Sequence, residues 1–164
     1  MTAGATTSEA EAIRRAVATV TDPEYPDVSI VDLGLLERVD VDAIDDAGRS
    51  AAGRRVTVEL VPTYAGCPAL EMIAADVRTA VEALGHTCEV RWLTAPAWSP
   101  TRIAERARQQ LADDYAVAVR DPDGRLRCPV CGSTAVPERS PVGPTRCRAV
   151  HWCAECRNAI EVVR

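Results

Sequence analysis

Two Cys-x-x-Cys pairs, Cys128/Cys131 and Cys153/Cys156, sit in the last 37 residues of the chain with 21 residues between them. Each pair can turn a tight knuckle that aims two thiolates at one point, and two facing knuckles make the tetrahedral S4 cage that zinc prefers. The spacing predicts a metal-closed ribbon over residues 128–164. It also suits a single iron, so spacing alone does not fix the ion, but four sulfurs that close the coordination sphere favour structural zinc. A fifth sulfur, Cys147, reads as an additional or replacement ligand, a transient docking ligand or a plain strand residue. His151 has the same three readings, with the plain strand residue favoured.

At 164 residues the chain has room for one ordinary domain beside such a ribbon. Cysteines in Cys-x-x-Cys pairs, with no apolar N-terminal stretch for export and no apolar run of about 18 residues, point to a reducing cytoplasm and to no membrane. The formal charge of −5 is uneven: residues 125–164 carry seven Arg against three acidic residues, and residues 1–124 carry twelve Arg against twenty-one. All nineteen Lys+Arg positions are Arg. That reflects coding bias more than function.

Hydrophobic period orders the N-terminal part. Ser8 and Glu11 suggest a capping box, and Ala10, Ile13, Val17 and Val20 recur at helical spacing until Asp22-Pro23, which predicts a helix over roughly 8–20. From Val28 the period moves toward 2 through Val31, then Val39, Val41 and Ala43. Asp45-Asp46-Ala47-Gly48 is a turn, and Arg55–Val61 returns with Val56, Val58 and Leu60 on one face. Leu70, Ile73, Val77, Val81 and Leu84 mark a second helix ending at Gly85. Cys88–Leu93 alternates as a further strand, and Ile103, Ala104, Ala107 and Leu111 mark a last helix. The order α-β-β-α-β-α predicts an α+β class in which helices cover a small sheet. The predicted division is a domain over 1–111, a linker over 112–127 and the ribbon over 128–164.

Outside the ribbon, Cys67 is the residue best placed for chemistry. Backbone N–H groups at a helix start favour a thiolate, which gives a nucleophile or a soft-metal ligand. A small buried cysteine packed under the helix start fits the spacing equally. Gly66 permits close backbone approach and Pro68 fixes the helix start. A Cys–His dyad is disfavoured, because His86 lies at the far end of the helix that Cys67 opens. The position six residues after Cys67 is Ile73 and not Arg, which excludes a phosphatase-type loop. Asp22-Pro23-Glu24 reads as turn chemistry or as functional carboxylates, and Pro96-Ala97-Trp98 as an aromatic plug.

Asp22-Pro23-Glu24, Asp32-Leu33-Gly34-Leu35, Thr63-Tyr64-Ala65-Gly66-Cys67-Pro68 and Pro96-Ala97-Trp98, in that order, resemble the SufT-like domain of iron–sulfur cluster assembly proteins. The segment from Cys128-Pro129-Val130-Cys131 through Thr145-Arg146-Cys147-Arg148 to Cys153 and Cys156 is similar to the tail of the PaaD family, whose members belong to the phenylacetyl-CoA epoxidase system. The resemblance implies an accessory component of phenylacetate degradation, in which a di-iron oxygenase epoxidises the ring and a [2Fe–2S] reductase supplies electrons. It implies help in maturing those centres, with transient iron or an iron–sulfur cluster as cargo, the oxygenase, reductase and assembly machinery as partners, and no catalytic cycle of its own. By position it makes Cys67 the reactive thiol, with Asp22, Glu24 and Thr63 beside it. The family's Phe, Lys and Tyr are replaced here by Val142, Arg148 and His151, and the Gly and Pro expected after the last helix are missing from residues 114–119.

Three other functions compete. A non-catalytic structural subunit of the oxygenase would bind it permanently. Nucleic-acid binding through the basic ribbon would rest on few phosphate contacts, against an acidic main domain. A redox role is weak because neither Cys-x-x-Cys opens a helix.

Overall fold

The structure, a computed structural model, describes residues 7–42 and 53–164. The turn expected at Asp45–Gly48, and Ala43 before it, lie outside the described residues. The chain forms two compact units. One takes the described residues up to Pro62 together with Pro68–Ala97, and the other takes Thr63–Cys67 together with Trp98–Arg164.

The first unit opens with α1 (Thr7–Val17). Ser8 therefore lies inside the helix and not at its cap. The helix ends three residues earlier than its apolar period, because the N–H groups of Thr19 and Val20 turn back to Ala16 and Val17 in three-residue bonds. Val20 stays buried beyond the last turn, so the period outlives the helix. A short ribbon follows, β1 (Thr21–Asp22) against β2 (Tyr25–Ser29), where one longer strand from Val28 was expected. Pro23 follows Asp22 at the turn, and Asp22 Oδ1 accepts the Glu24 N–H at 2.8 Å, an Asx turn that reverses the chain.

The main sheet contains β3 (Leu36–Val41), β4 (Arg55–Leu60) and β5 (Thr87–Trp92) in that spatial order. β3 and β4 are antiparallel, whereas β4 and β5 are parallel and joined through α2 (Ala69–Glu82). Central β4 buries Val56, Val58 and Leu60 completely, the face expected from its alternation. Ile73, Ala74, Val77 and Val81 form the buried face of α2, while Leu84 is exposed beyond the helix end.

The second unit carries α3 (Glu105–Tyr115), β6 (Val117–Ala118), β7 (Glu138–Ser140), β8 (Arg148–Trp152) and β9 (Ala159–Val163). Its sheet runs β6-β9-β8-β7. The stretch 112–127, which reads as a linker by composition, holds the last turn of α3 and strand β6, and β6 pairs parallel with β9 at Val117↔Glu161. Where glycine was expected after the helix, Ala116 takes a left-handed φ of 53° and its N–H caps Leu111 O. The Arg108 guanidinium donates to the carbonyls of Ile103, Arg120 and Pro100. One side chain thus ties α3 to the segments before and after it.

Candidate functional site

The ribbon's two knuckles are built alike. In the first, Gly132 N–H returns to Cys128 O at 2.8 Å, Cys128 N–H donates to Ser133 O at 2.8 Å, and Gly132 takes a φ of 74°. In the second, Arg157 N–H returns to Cys153 O at 3.0 Å, Cys153 N–H donates to Asn158 O at 2.9 Å, and Arg157 takes a φ of 58°. Glycine adopts that conformation at no steric cost, whereas arginine is strained in it. Closing the second knuckle therefore needs a compensating interaction.

The four sulfurs converge. Cys128 Sγ lies 3.6 Å from Cys156 Sγ and Cys131 Sγ lies 3.5 Å from Cys153 Sγ, and all four fall within 4.8 Å of one another. Zinc–sulfur bonds of about 2.3 Å at tetrahedral angles put sulfurs roughly 3.8 Å apart, so the cage has the size of a metal-filled one. Cys128 and Cys153 are buried among Ala118, Leu126, Val136, Ile160 and Val162, with Cys156 packed against that core.

The sulfurs do not share charge evenly. Cys153 is drawn down to about 6, first by the backbone N–H of Cys156 and then by the neighbouring thiols. Burial raises Cys128. Although the Ser133 N–H favours a thiolate at Cys131, lost hydration and hydrogen bonds to the other cysteines push it up to about 12. The backbone N–H groups of the second knuckle therefore favour a thiolate at Cys153.

Cys147 is not one of the four. Its Sγ lies 3.1 Å from Thr145 Oγ1, and its carbonyl accepts the Arg164 N–H. His151 is a buried β8 residue whose Nδ1 lies 2.8 Å from Val136 O.

Cys67 is half-buried, and its N–H closes a turn onto Tyr64 O at 3.1 Å. A β-carbon on Gly66 would meet the Tyr64 ring at 2.9 Å, so the aromatic ring lies against the glycine. Thr63 immediately precedes this turn. Asp22 and Glu24 are in the first unit, at the β1–β2 turn. His86 is engaged elsewhere: its Nδ1 accepts the Arg54 N–H at 3.4 Å and its Nε2 lies 4.0 Å from Glu9.

Comparison with known proteins divides the chain in two. The family profile of iron–sulfur cluster assembly proteins matches residues 10–92, and that of the PaaD zinc beta ribbon domain matches residues 112–164. An Escherichia coli (strain K12) protein, provisionally named as a subunit of 1,2-phenylacetyl-CoA epoxidase, is 30% identical over 152 residues, covering 87% of this chain and 84% of that protein. The chain belongs to the PaaD family. An Fe-S protein maturation auxiliary factor of Porphyromonas gingivalis is 38% identical over 103 residues, covering 62% of this PaaD-family chain and 89% of that protein. A crystal structure of a domain of unknown function, DUF59, from Bacillus anthracis is 25% identical with a TM-score of 0.53, and the match covers 63% of this chain and 92% of that one. The α+β fold, the ribbon and the iron–sulfur assembly relationship expected from sequence all stand. Among the described residues no helix is long and apolar enough to cross a membrane.

Proposed function

We propose that this protein is a cytoplasmic maturation factor of the multicomponent phenylacetyl-CoA ring epoxidase, one that helps install the iron–sulfur cluster of its reductase or the iron of its oxygenase. The observation that carries the reading is the joining of an iron–sulfur assembly domain to a PaaD ribbon in one chain. A similarity spanning most of an epoxidase component supports the choice of client.

Within this reading Cys67 is the thiol that receives or hands over iron or a cluster, and Thr63 assists it. Cys67 is half-buried and not sealed in the core, as such a role requires. The ribbon holds one structural zinc on Cys128, Cys131, Cys153 and Cys156, which fixes the sheet that meets the oxygenase or reductase. Nucleic acid is not the partner: seven Arg against three acidic residues in 125–164 offer few phosphate contacts.

The test compares reductase purified from cells with and without this gene. Reductase that lacks much of its [2Fe–2S] absorbance in the deletion strain, restored by the gene, supports maturation. Full cluster content in the deletion strain, together with co-purification of the protein with the oxygenase in fixed stoichiometry, supports a permanent structural role in the oxygenase instead.

A further inference from the structure

Strand β5 is an edge of the main sheet, and its sequence is self-complementary. Thr87 and Leu93 donate their N–H groups to Arg54 O and Leu60 O at 2.9 and 2.7 Å, so the odd-numbered residues of β5 bond to β4. The N–H and C=O groups of Cys88, Val90 and Trp92 consequently point away from the sheet, and β5 has no second neighbour among the described residues. Such an edge invites another strand. The opposite edge, β3, is blunted by a register shift between Leu36 and Arg38, a device that discourages pairing. β5 keeps an unbroken register over all six residues and contains no proline.

The charges on this strand select its partner. Glu89 and Arg91 stand on the exposed face, with Arg91 Nε 2.8 Å and Nη2 3.0 Å from the two Glu89 carboxylate oxygens. If a second β5 lies antiparallel and centred on Val90, Val90 faces its own copy, Glu89 faces Arg91 of the second copy, and Cys88 faces Trp92. The outward groups of Cys88, Val90 and Trp92 then form about six inter-strand hydrogen bonds. The two Glu–Arg pairs fall at the positions between those bonds, where side chains approach most closely. Each carboxylate exchanges an intrastrand guanidinium for an identical one across the interface, so no charge loses its partner.

We propose that β5 is a self-association edge, through which two copies of this chain pair antiparallel about Val90 into a continuous six-stranded sheet. The two-fold axis stands perpendicular to the sheet, so the α2 helices of both copies cover the same face.

Sedimentation velocity over a concentration series tests the proposal on the full chain. The wild type is expected to rise from its 17.6 kDa monomer mass to twice that value. Glu89→Arg alone and Arg91→Glu alone each convert both cross-strand pairs to like-charge pairs, and each should weaken the dimer by about tenfold or more. An equimolar mixture of the two variants restores opposite charges at both positions and should associate as a heterodimer. Misfolding of either variant could not give that rescue. Val90→Pro removes an N–H that β4 does not use and should abolish the dimer while leaving the helical circular dichroism intact. A wild type that remains monomeric throughout, single variants that dimerise like the wild type, or a mixture that fails to associate overturns the proposal.

Discussion

Gly53 passes so close to Gly85 that a β-carbon on Gly53 would lie 1.8 Å from the Gly85 carbonyl oxygen, and both residues hold left-handed dihedrals, φ 69° and 85°. The start of β4 and the turn between α2 and β5 thus touch backbone to backbone. Gly53→Ala should cost the first unit about 3 kcal/mol or more, since neither chain segment can yield and the dihedral is itself unfavourable. Gly85→Ala meets nothing within 4 Å and should cost about 1–2 kcal/mol, the dihedral penalty alone. Urea denaturation of the two variants separates the effects.

Arg108 satisfies three carbonyls, two from the segment before α3 and one from the segment after it. Replacing it with Met keeps the aliphatic packing and leaves those acceptors without the guanidinium. The second unit should lose about 2–3 kcal/mol, in the range for hydrogen bonds to a charged group. A thermal melt followed by tryptophan fluorescence reads the change, because Trp98 and Trp152 belong to this unit.

Zinc must displace the protons that the thiols carry. With Cys153 drawn down to about 6, metal-free protein at pH 7.5 should release fewer than four protons per ion. In the metal-free ribbon the lowered Cys153 stabilises the fold above its ordinary 9.0, and that contribution is lost as pH falls through about 6. The raised Cys131 acts in the opposite sense: its contribution is present below 9.0 and lost as pH rises toward about 12. A pH-indicator titration counts the protons, and Cys131→Ser should remove most of the zinc found by elemental analysis.

The parts of this fold governed by period and spacing could be read directly. Val56, Val58 and Leu60 alternate because one face of β4 is buried, and the four ribbon cysteines carry the spacing of two knuckles. What sequence did not reveal was set by contacts between distant residues. The need for Gly53 comes from Gly85, 32 positions away, and nothing local to Gly53 signals it. Helix α3 reads as part of the first domain by its amphipathic period, but a period shows only that a face is buried and not against what. Ala116 takes a glycine's conformation without being one, so the helix end lacked its usual marker. The Asx turn at Asp22 was legible, whereas the β1–β2 ribbon it creates is too short for alternation to register.

A maturation role rests above all on Cys67 handling iron or a cluster for a client. The most direct measurement is the [2Fe–2S] occupancy of the reductase produced in cells carrying Cys67→Ser in place of the wild-type protein, with the zinc content and circular dichroism of the variant shown to be unchanged. Occupancy is expected to fall toward the level of cells lacking the protein. Occupancy equal to wild type in the presence of a folded, zinc-loaded Cys67→Ser protein would contradict that role.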